Sequence, residues 1–457
     1  MGTDHLTGAA ARKDEEMDEQ TARCAESLAR LIRLETVSGP DTSGDAKFHA
    51  FRELLKDMFP VLFEHAEYTE FTDGFVLRWQ GQDPSAQPDL FMNHHDVVEA
   101  GGKWSHGPFS GEIADGRLWG RGALDDKGGL WAMLRAADEL IREGYIPRRD
   151  IWFSSASTEE STGSGADEIS KWFEEKGIRF HLCLDEGGFI LSEPINGAKG
   201  LFALIGVGEK GCADLKFTAR SGGGHASMPP KNSPLVRLGK FMAEADRQQI
   251  FEAWMNPAVC EMLRIFAPSM HGQRAEILAR PELFSRVLTQ ALLRLSPSAA
   301  ALLRTTVAFT MAGGSDGANV LPAEAWVVAN MRYSHHQGQQ GSFDAIRKLA
   351  EKYGLEMEVL DPGSPSRITD YTQDGYAMVS EAVKAVFPGV TPAPYLLSGA
   401  SDARFFDRVS DQCLRFLPFF ADSSQVASIH GIDENVNLDT LVPAVAFYKY
   451  MMKEGKS

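Results

Sequence analysis

Four segments of this sequence each place histidine or paired acids directly after an apolar run or at the start of a helix. His94-His95-Asp96 follows the strand-like run Asp89 to Asn93. Glu159-Glu160 follows Asp150 to Thr158, and Asp185-Glu186 follows Phe180 to Leu184. Asp125-Asp126 sits in the turn Gly120 to Gly129, which reads G-R-G-A-L-D-D-K-G-G. Imidazoles and carboxylates are the donors that divalent cations take. Two such cations need a bridging carboxylate, imidazoles, terminal carboxylates, and a further carboxylate free to move protons. Each pair alone has a plainer reading, since acids before a helix cap it and complement its dipole, and most acids are simply solvated. Capping does not require several strands to end in His, Asp and Glu around one loop-to-helix pair. That arrangement describes a metal site at the carboxyl edge of an α/β sheet, where open sheets place their ligands.

The elements that must carry these residues are legible from periodicity. Leu130, Leu134, Ala137 and Ile141 recur at helical spacing, so the chain is helical from Lys127 onward. An amphipathic helix is expected from about Asp18 to Glu35, burying Cys24, Leu28, Leu31 and Ile32, and a second through Phe51 and Met58, closed by Pro60. Strand and helix then alternate to about Gly188, the pattern of a parallel or mixed sheet covered on both faces. The character changes near Gly208. Asp214 to Ala219 alternates polar with apolar, Leu235 to Ala245 is helical, and Phe251 to Arg304 reads as amphipathic helices broken by prolines. Strands at Thr305 to Met311 and Ala325 to Tyr333, a helix from Phe343 and a strand from Leu355 complete a β-α-β-β-α-β order, which is ferredoxin-like. The expected division is a disordered leader over 1–17, a catalytic domain over 18–208 and 366–457, and an inserted lid over 209–365.

The chain has 457 residues, with 46 basic against 63 acidic side chains and a net charge of −17. That balance argues against nucleic acid or an anionic membrane as the main partner, because phosphate binding needs a basic footprint. The five cysteines are scattered without paired spacing, which fits a reduced, cytoplasmic chain better than a disulfide framework. The first twenty residues contain no apolar signal-peptide core, and no run approaches the roughly 20 apolar residues needed to span a bilayer.

Taken together, these motifs resemble metallopeptidase family 20, the di-zinc exopeptidases that include aminoacylases, Gly-Xaa carboxypeptidases and dipeptidases. The match runs through His94-His95-Asp96-Val97-Val98, Trp104 to Gly111, Gly120 to Gly128, Thr158-Glu159-Glu160 and Asp185 to Gly188. It continues through Gly224 to Ser227, Asn319 to Pro322 and Ile429-His430-Gly431, in the family's order. The branch it is most similar to is the vacuolar-carboxypeptidase and N-acyl-amino-acid-hydrolase type. The resemblance implies a zinc-exopeptidase-like α/β catalytic domain, its mixed sheet lying between helices, with the inserted α+β lid carrying extra helices.

Residue by residue, the resemblance implies that His94 binds one zinc with Asp96 orienting its imidazole. Asp125 bridges both metals, with a cis peptide to Asp126. Glu160 and His430 bind the second zinc, and Glu159 is the general base. The remaining ligand is either Asp185 or Glu186. Side chains alternate along a strand, so one of the two is expected to face the metals, and both stand as candidates. His95, next to His94 on a strand, should point the other way and pack. His225, Asn319 and Arg332 on the lid would hold substrate, Arg332 pairing with a terminal carboxylate. The cofactor expectation is two divalent ions, zinc with cobalt or manganese as substitutes. The functional expectation is amide hydrolysis of small N-acyl amino acids or peptides with a free carboxylate, by a chain that pairs through its lid as a homodimer. Its rivals are a dipeptidase, a carbamoyl or ester hydrolase on the same centre, and a non-catalytic metal-binding homologue.

Overall fold

The alternation of side chains along the central strands decides how this sheet is covered. Phe75 and Leu77, Phe91, Ile151 and Phe153, and Leu182 and Leu184 all join one buried cluster. Their sequence neighbours Val76, Leu90 and Met92, Trp152, and Cys183 join another on the opposite face. Strands that are apolar on both faces must be sandwiched. One face carries the helices Glu19–Ile32, Lys127–Arg142 and Leu441–Met452, packed on one another. The other carries Ser164–Glu175, which buries Ile169 and Phe173. In the computed structural model the described residues are 18–454, except 248–249, 296 and 364–365. The expected leader over 1–17 lies outside them.

The sheet has ten strands. Their order is Glu67–Phe71, Gly74–Trp79, Ile151–Ala156, Asp89–Met92, Leu182–Asp185, Cys413–Arg415, Leu201–Glu209, Ile190–Ser192 and Phe420–Ala421, with Val390–Leu397 alongside Leu201–Glu209. It is mixed. Ile151–Ala156, Asp89–Met92 and Leu182–Asp185 run parallel, so the segments that follow them emerge at one edge. The strand Val390–Leu397 was not legible in the sequence, because Pro392 and Pro394 interrupt its pattern. It pairs with Leu201–Glu209 alone, the edge position in which prolines are tolerated. Pro60 does not simply close the second helix. Ala46–Met58 ends before it and Pro60 opens a further helix, Pro60–His65, at its first position.

The lid has its own sheet of four antiparallel strands, ordered Thr306–Gly313, Glu324–Tyr333, Gly211–Arg220, Glu356–Asp361. With the helices Pro234–Ala245 and Gly338–Lys352 this is the ferredoxin-like order, enclosing Leu215, Phe217, Phe241, Val327, Met331 and Ile346. The helices Pro257–Phe266, Gln273–Leu278, Ser285–Leu295 and Pro297–Leu303, read from sequence with the lid, pack elsewhere. Val259, Met262, Leu263 and Phe266 join the catalytic core, and Phe266 meets Phe202 edge-on at 4.7 Å. An amphipathic stripe dictates that a face is buried, not against which domain.

Candidate metal centre

His94, Asp125 and Glu160 bring one ligand atom each to within 4.8 Å of one another. His94 follows the strand Asp89–Met92, Glu160 follows Ile151–Ala156, and Asp125 ends the loop before the helix Lys127–Arg142. His94 Nε2 lies 3.0 Å from Asp125 Oδ1. His430 Nε2 lies 3.1 Å from Asp125 Oδ2 and 2.9 Å from Glu160 Oε2. One carboxylate therefore stands between two imidazoles, with a different oxygen toward each.

The loop that presents Asp125 is held from behind. Buried Glu434 accepts from the backbone N–H of Leu124 and Asp125, at 2.9 and 3.1 Å, and from Arg121 Nη1 at 2.6 Å. Lys127 Nζ donates to the carbonyls of Leu31 and Leu34, tying the loop to the first helix. The peptide between Asp125 and Asp126 is cis. Asp126 makes no capping bond to the helix it precedes, and its carboxylate is fully buried. The capping explanation of this acid pair therefore fails.

Asp96 links two strand ends. His94 Nδ1 lies 3.3 Å from Asp96 Oδ1 and 3.0 Å from the Asp96 carbonyl. The same carboxylate accepts from the backbone N–H of Glu159 and Glu160 at 3.2 and 3.0 Å, and from Ser38 Oγ at 2.6 Å. His95 points away, stacked on Phe51 at 5.4 Å with Nδ1 2.8 Å from Ser155 Oγ. Asp185 and Glu186 part as alternation requires. Asp185 Oδ2 accepts from Ala403 N–H at 2.7 Å. Glu186 lines a cavity of about 390 Å³ together with Asp125, Glu159 and His430. The rest of that cavity is largely apolar, with Leu124, Phe189, Leu191, Leu204, Tyr395 and Leu397 in its wall. A larger groove of about 870 Å³, lined by Arg78, Asp150, Trp152 and Trp172, contains none of these residues.

The donor set is crowded with carboxylates. Burial pushes the carboxyls of Glu159 and Glu186 well above their ordinary range, Glu160 to about 7 and Asp185 to about 6. Asp125 is instead lowered, because hydrogen bonds from His430 and His94 outweigh its burial. Those bonds and that to Glu160 raise His430 to about 10. His94 is raised too, burial opposing but its bonds to Asp125 and Asp96 prevailing. Two imidazoles and the guanidinium of Arg404 offset this crowd of carboxylates only in part, and Glu160 Oε1 is buried without a hydrogen-bond partner among the described residues. Divalent cations are the charges such a donor set neutralises, and the residues present fit them.

The three lid residues stand apart. His225 is exposed on the short strand Gly224–His225, its Nδ1 2.7 Å from Ser227 Oγ. Asn319 lies beside it, its carbonyl accepting from Ala226 N–H at 2.9 Å. Arg332 projects from Glu324–Tyr333 and donates through Nε to Asn330 at 3.1 Å. None lines the cavity. The segment Ser398 to Arg404 (S-G-A-S-D-A-R), which the sequence reading passed over, reaches the site through Arg404, 3.6 Å from Glu159.

The sequence model of peptidase family M20/M25/M40 matches residues 90–454. The human N-fatty-acyl-amino acid synthase/hydrolase PM20D1 is 31% identical over 94% of this chain and 87% of its own length. Probable carboxypeptidase S-like 2 of Dictyostelium discoideum is 28% identical, over 99% of this chain and 88% of its own. An M20 family metallo-carboxypeptidase from Sulfolobus solfataricus shares the fold, with a TM-score of 0.71 at 17% identity, covering 96% of this chain and 99% of that one.

Proposed function

The chain belongs to peptidase family M20/M25/M40 and is a metal-dependent hydrolase of amide bonds, and we propose that it acts with two zinc ions on N-acyl amino acids that carry an apolar acyl chain and a free carboxylate. The observation that carries the two-metal reading is Asp125 between His94 and His430. His94, Asp125 and Glu186 would hold one ion, and Asp125, Glu160 and His430 the other. Such a pair, when bound, brings the pKa of a water to around 7 and polarises the carbonyl under attack.

The rest is done by side chains. Glu159 stands at the cavity wall without being needed as a ligand, so its carboxylate is free to take a proton from the attacking water and return it to the leaving amine. Asp96 fixes the His94 ring and the backbone of Glu159 and Glu160 together, so base and ligands keep one geometry. The apolar wall of Phe189, Leu191, Leu204, Tyr395 and Leu397 suits an acyl chain, as the name of the human relative says of its own substrates. His225, Asn319 and Arg332 would reach the substrate when the lid closes, His225 as an oxyanion donor and Arg332 on the carboxylate.

Two further readings belong to this proposal. A homodimer through the lid is supported by exposed Leu235 and Val236 on Pro234–Ala245 and Met311 on the outer strand Thr306–Gly313. A reducing, cytoplasmic location is supported by the free thiols, including Cys183 and Cys413, which face each other across a parallel ladder unbonded. The test is a turnover panel of N-acyl amino acids of graded chain length alongside dipeptides, with metal content measured on the same samples. Faster hydrolysis with longer acyl chains supports the reading. A preference for dipeptides would transfer it to the rival activity, and no turnover with two ions bound would end it.

A further inference from the structure

The helix Ser285–Leu295 is apolar on two sides. Its inner side packs Leu288 and Leu292 on the catalytic core. Outward, the turn that enters it exposes Leu283 at 76% and Phe284 at 38%, and the helix itself exposes Val287 at 63%. Arg280 and the turn residues Leu283 and Phe284, followed by Val287, Ala291 and Arg294 on the helix, are all exposed, so an apolar patch runs between two arginines. Over 272–304 there are five arginines against two glutamates. Glu282 is taken by Arg264 at 2.5 Å. Arg274, Arg280, Arg286 and Arg294 have no carboxylate partner among the described residues. The insert is thus locally basic in a chain whose net charge is −17.

We propose that the outward face of this helical insert, from Arg280 to Arg294, docks on a lipid surface bearing anionic headgroups. A helix and its entering turn that together expose Leu, Phe and Val, with arginines at the polar margin, are built to lie in a membrane interface. Arginine within a few ångströms of acidic headgroups adds local attraction that the rest of the acidic chain does not supply. The expectation of no membrane partner rested on total charge, which does not see this reversal. A second copy of the chain is a poorer occupant. Three large side chains fall well short of the ~800 Å² per partner of a stable interface. A two-fold contact here would also set arginine against arginine. The insert is rooted at the site as well, since Pro257–Phe266 packs on Val390–Leu397, whose Tyr395 and Leu397 wall the apolar cavity. Docking would bring that wall to the surface where amphiphilic substrates collect.

The experiment is flotation of the full chain with phosphatidylcholine vesicles, with and without phosphatidylserine, at low and high salt. Two surface variants accompany it, L283S/F284S/V287S and R280E/R294E, each checked by thermal melting and by hydrolysis of a short, water-soluble N-acyl amino acid. The expected result is binding to phosphatidylserine vesicles that weakens with salt. Each variant should lose at least tenfold, since one arginine near such a surface is worth about fivefold, while melting and short-substrate turnover stay at wild-type values. No binding of the wild type to phosphatidylserine vesicles at low salt overturns the proposal, and so does equal binding by the variants. A dimer that the serine variant abolishes, with no lipid binding by the wild type, overturns it in favour of a contact between copies. Because the readout is lipid binding, this inference and the hydrolytic assignment fail separately.

Discussion

The guanidinium of Arg404 lies 3.6 Å from the carboxylate of Glu159, Nη1 to Oε1, with the two side chains only 15% and 11% exposed. Arg404 is itself held in place. It donates to the Ser401 carbonyl at 2.5 Å, its guanidinium sits 4.5 Å from the centre of the Phe405 ring, and Gly163 leaves it room where a Cβ would come to 2.7 Å. A base that must meet one water proton needs its carboxylate aimed, and Arg404 is placed to aim it.

Arg404→Met should therefore lower kcat by roughly tenfold to a hundredfold, the scale of a misaimed group, with metal content unchanged. Arg404→Lys should recover part of the loss. Unchanged kcat in Arg404→Met, with fold and metals intact, would remove Arg404 from the site.

The two adjacent glutamates should fail differently. Glu159→Gln preserves shape but cannot accept a proton, so it should keep both metals and lose about 10²–10⁴ in turnover. Glu160→Gln should give up part of its metal and regain activity with added zinc, because Glu160 Oε2 sits against His430 in the cluster. Elemental analysis and initial rates on both variants check this. Full activity of a metal-loaded Glu159→Gln protein would discard the base assignment.

Asp185 and Glu186 separate by where they point. Glu186 faces the cavity with Asp125, while Asp185 is spent on the Ala403 N–H. Glu186→Gln should lower metal stoichiometry toward one ion per chain. Asp185→Asn should hold both ions and cost stability, on the order of 1–3 kcal/mol for a disturbed buried hydrogen bond. The reverse pattern in metal analysis makes Asp185 the ligand.

How far the sequence reaches is clear from these same residues. His94, Asp125, Glu159 and Glu160 could be singled out because strand ends and one loop deliver them, and parallel strands must gather their ends at one edge, whereas His430 follows the short helix Ser423–Ser428 and was reached through the family resemblance alone. Arg404 and Glu434 could not be, since one sits in a single helical turn and the other in an irregular segment, and each finds its partner, Glu159 or the Leu124–Asp125 backbone, through tertiary packing alone. The lid's strand order followed from alternation and turns. The home of Pro257–Phe266 did not, because its apolar face matches either core equally well until Phe202 is known to lie beneath it.

The last prediction concerns the joint between the domains. Lys210 opens the lid directly after the strand Leu201–Glu209, and its buried Nζ donates to the Arg304 carbonyl at 2.9 Å and to Thr306 Oγ1 at 3.1 Å. Burial, and then the charges of Arg332 and Arg304, bring its pKa down to about 7. Below that value Lys210 carries its proton in both folded and unfolded chains, so it adds no pH dependence. Between about 7 and the ordinary lysine value near 10.4, the unfolded chain keeps a proton the folded one has lost. More protons on the unfolded side means that stability rises with pH across that window, by at most about 1.4 kcal/mol per unit. Above it the effect is constant. Lys210→Met removes this titration together with the two hydrogen bonds, so the stability of wild type minus variant, whatever its offset, should climb between pH 7 and 9, measured by calorimetry on metal-loaded protein. A difference that is flat or falling over that range would show that Lys210 stays charged there, and that its two hydrogen bonds hold an ammonium rather than an amine.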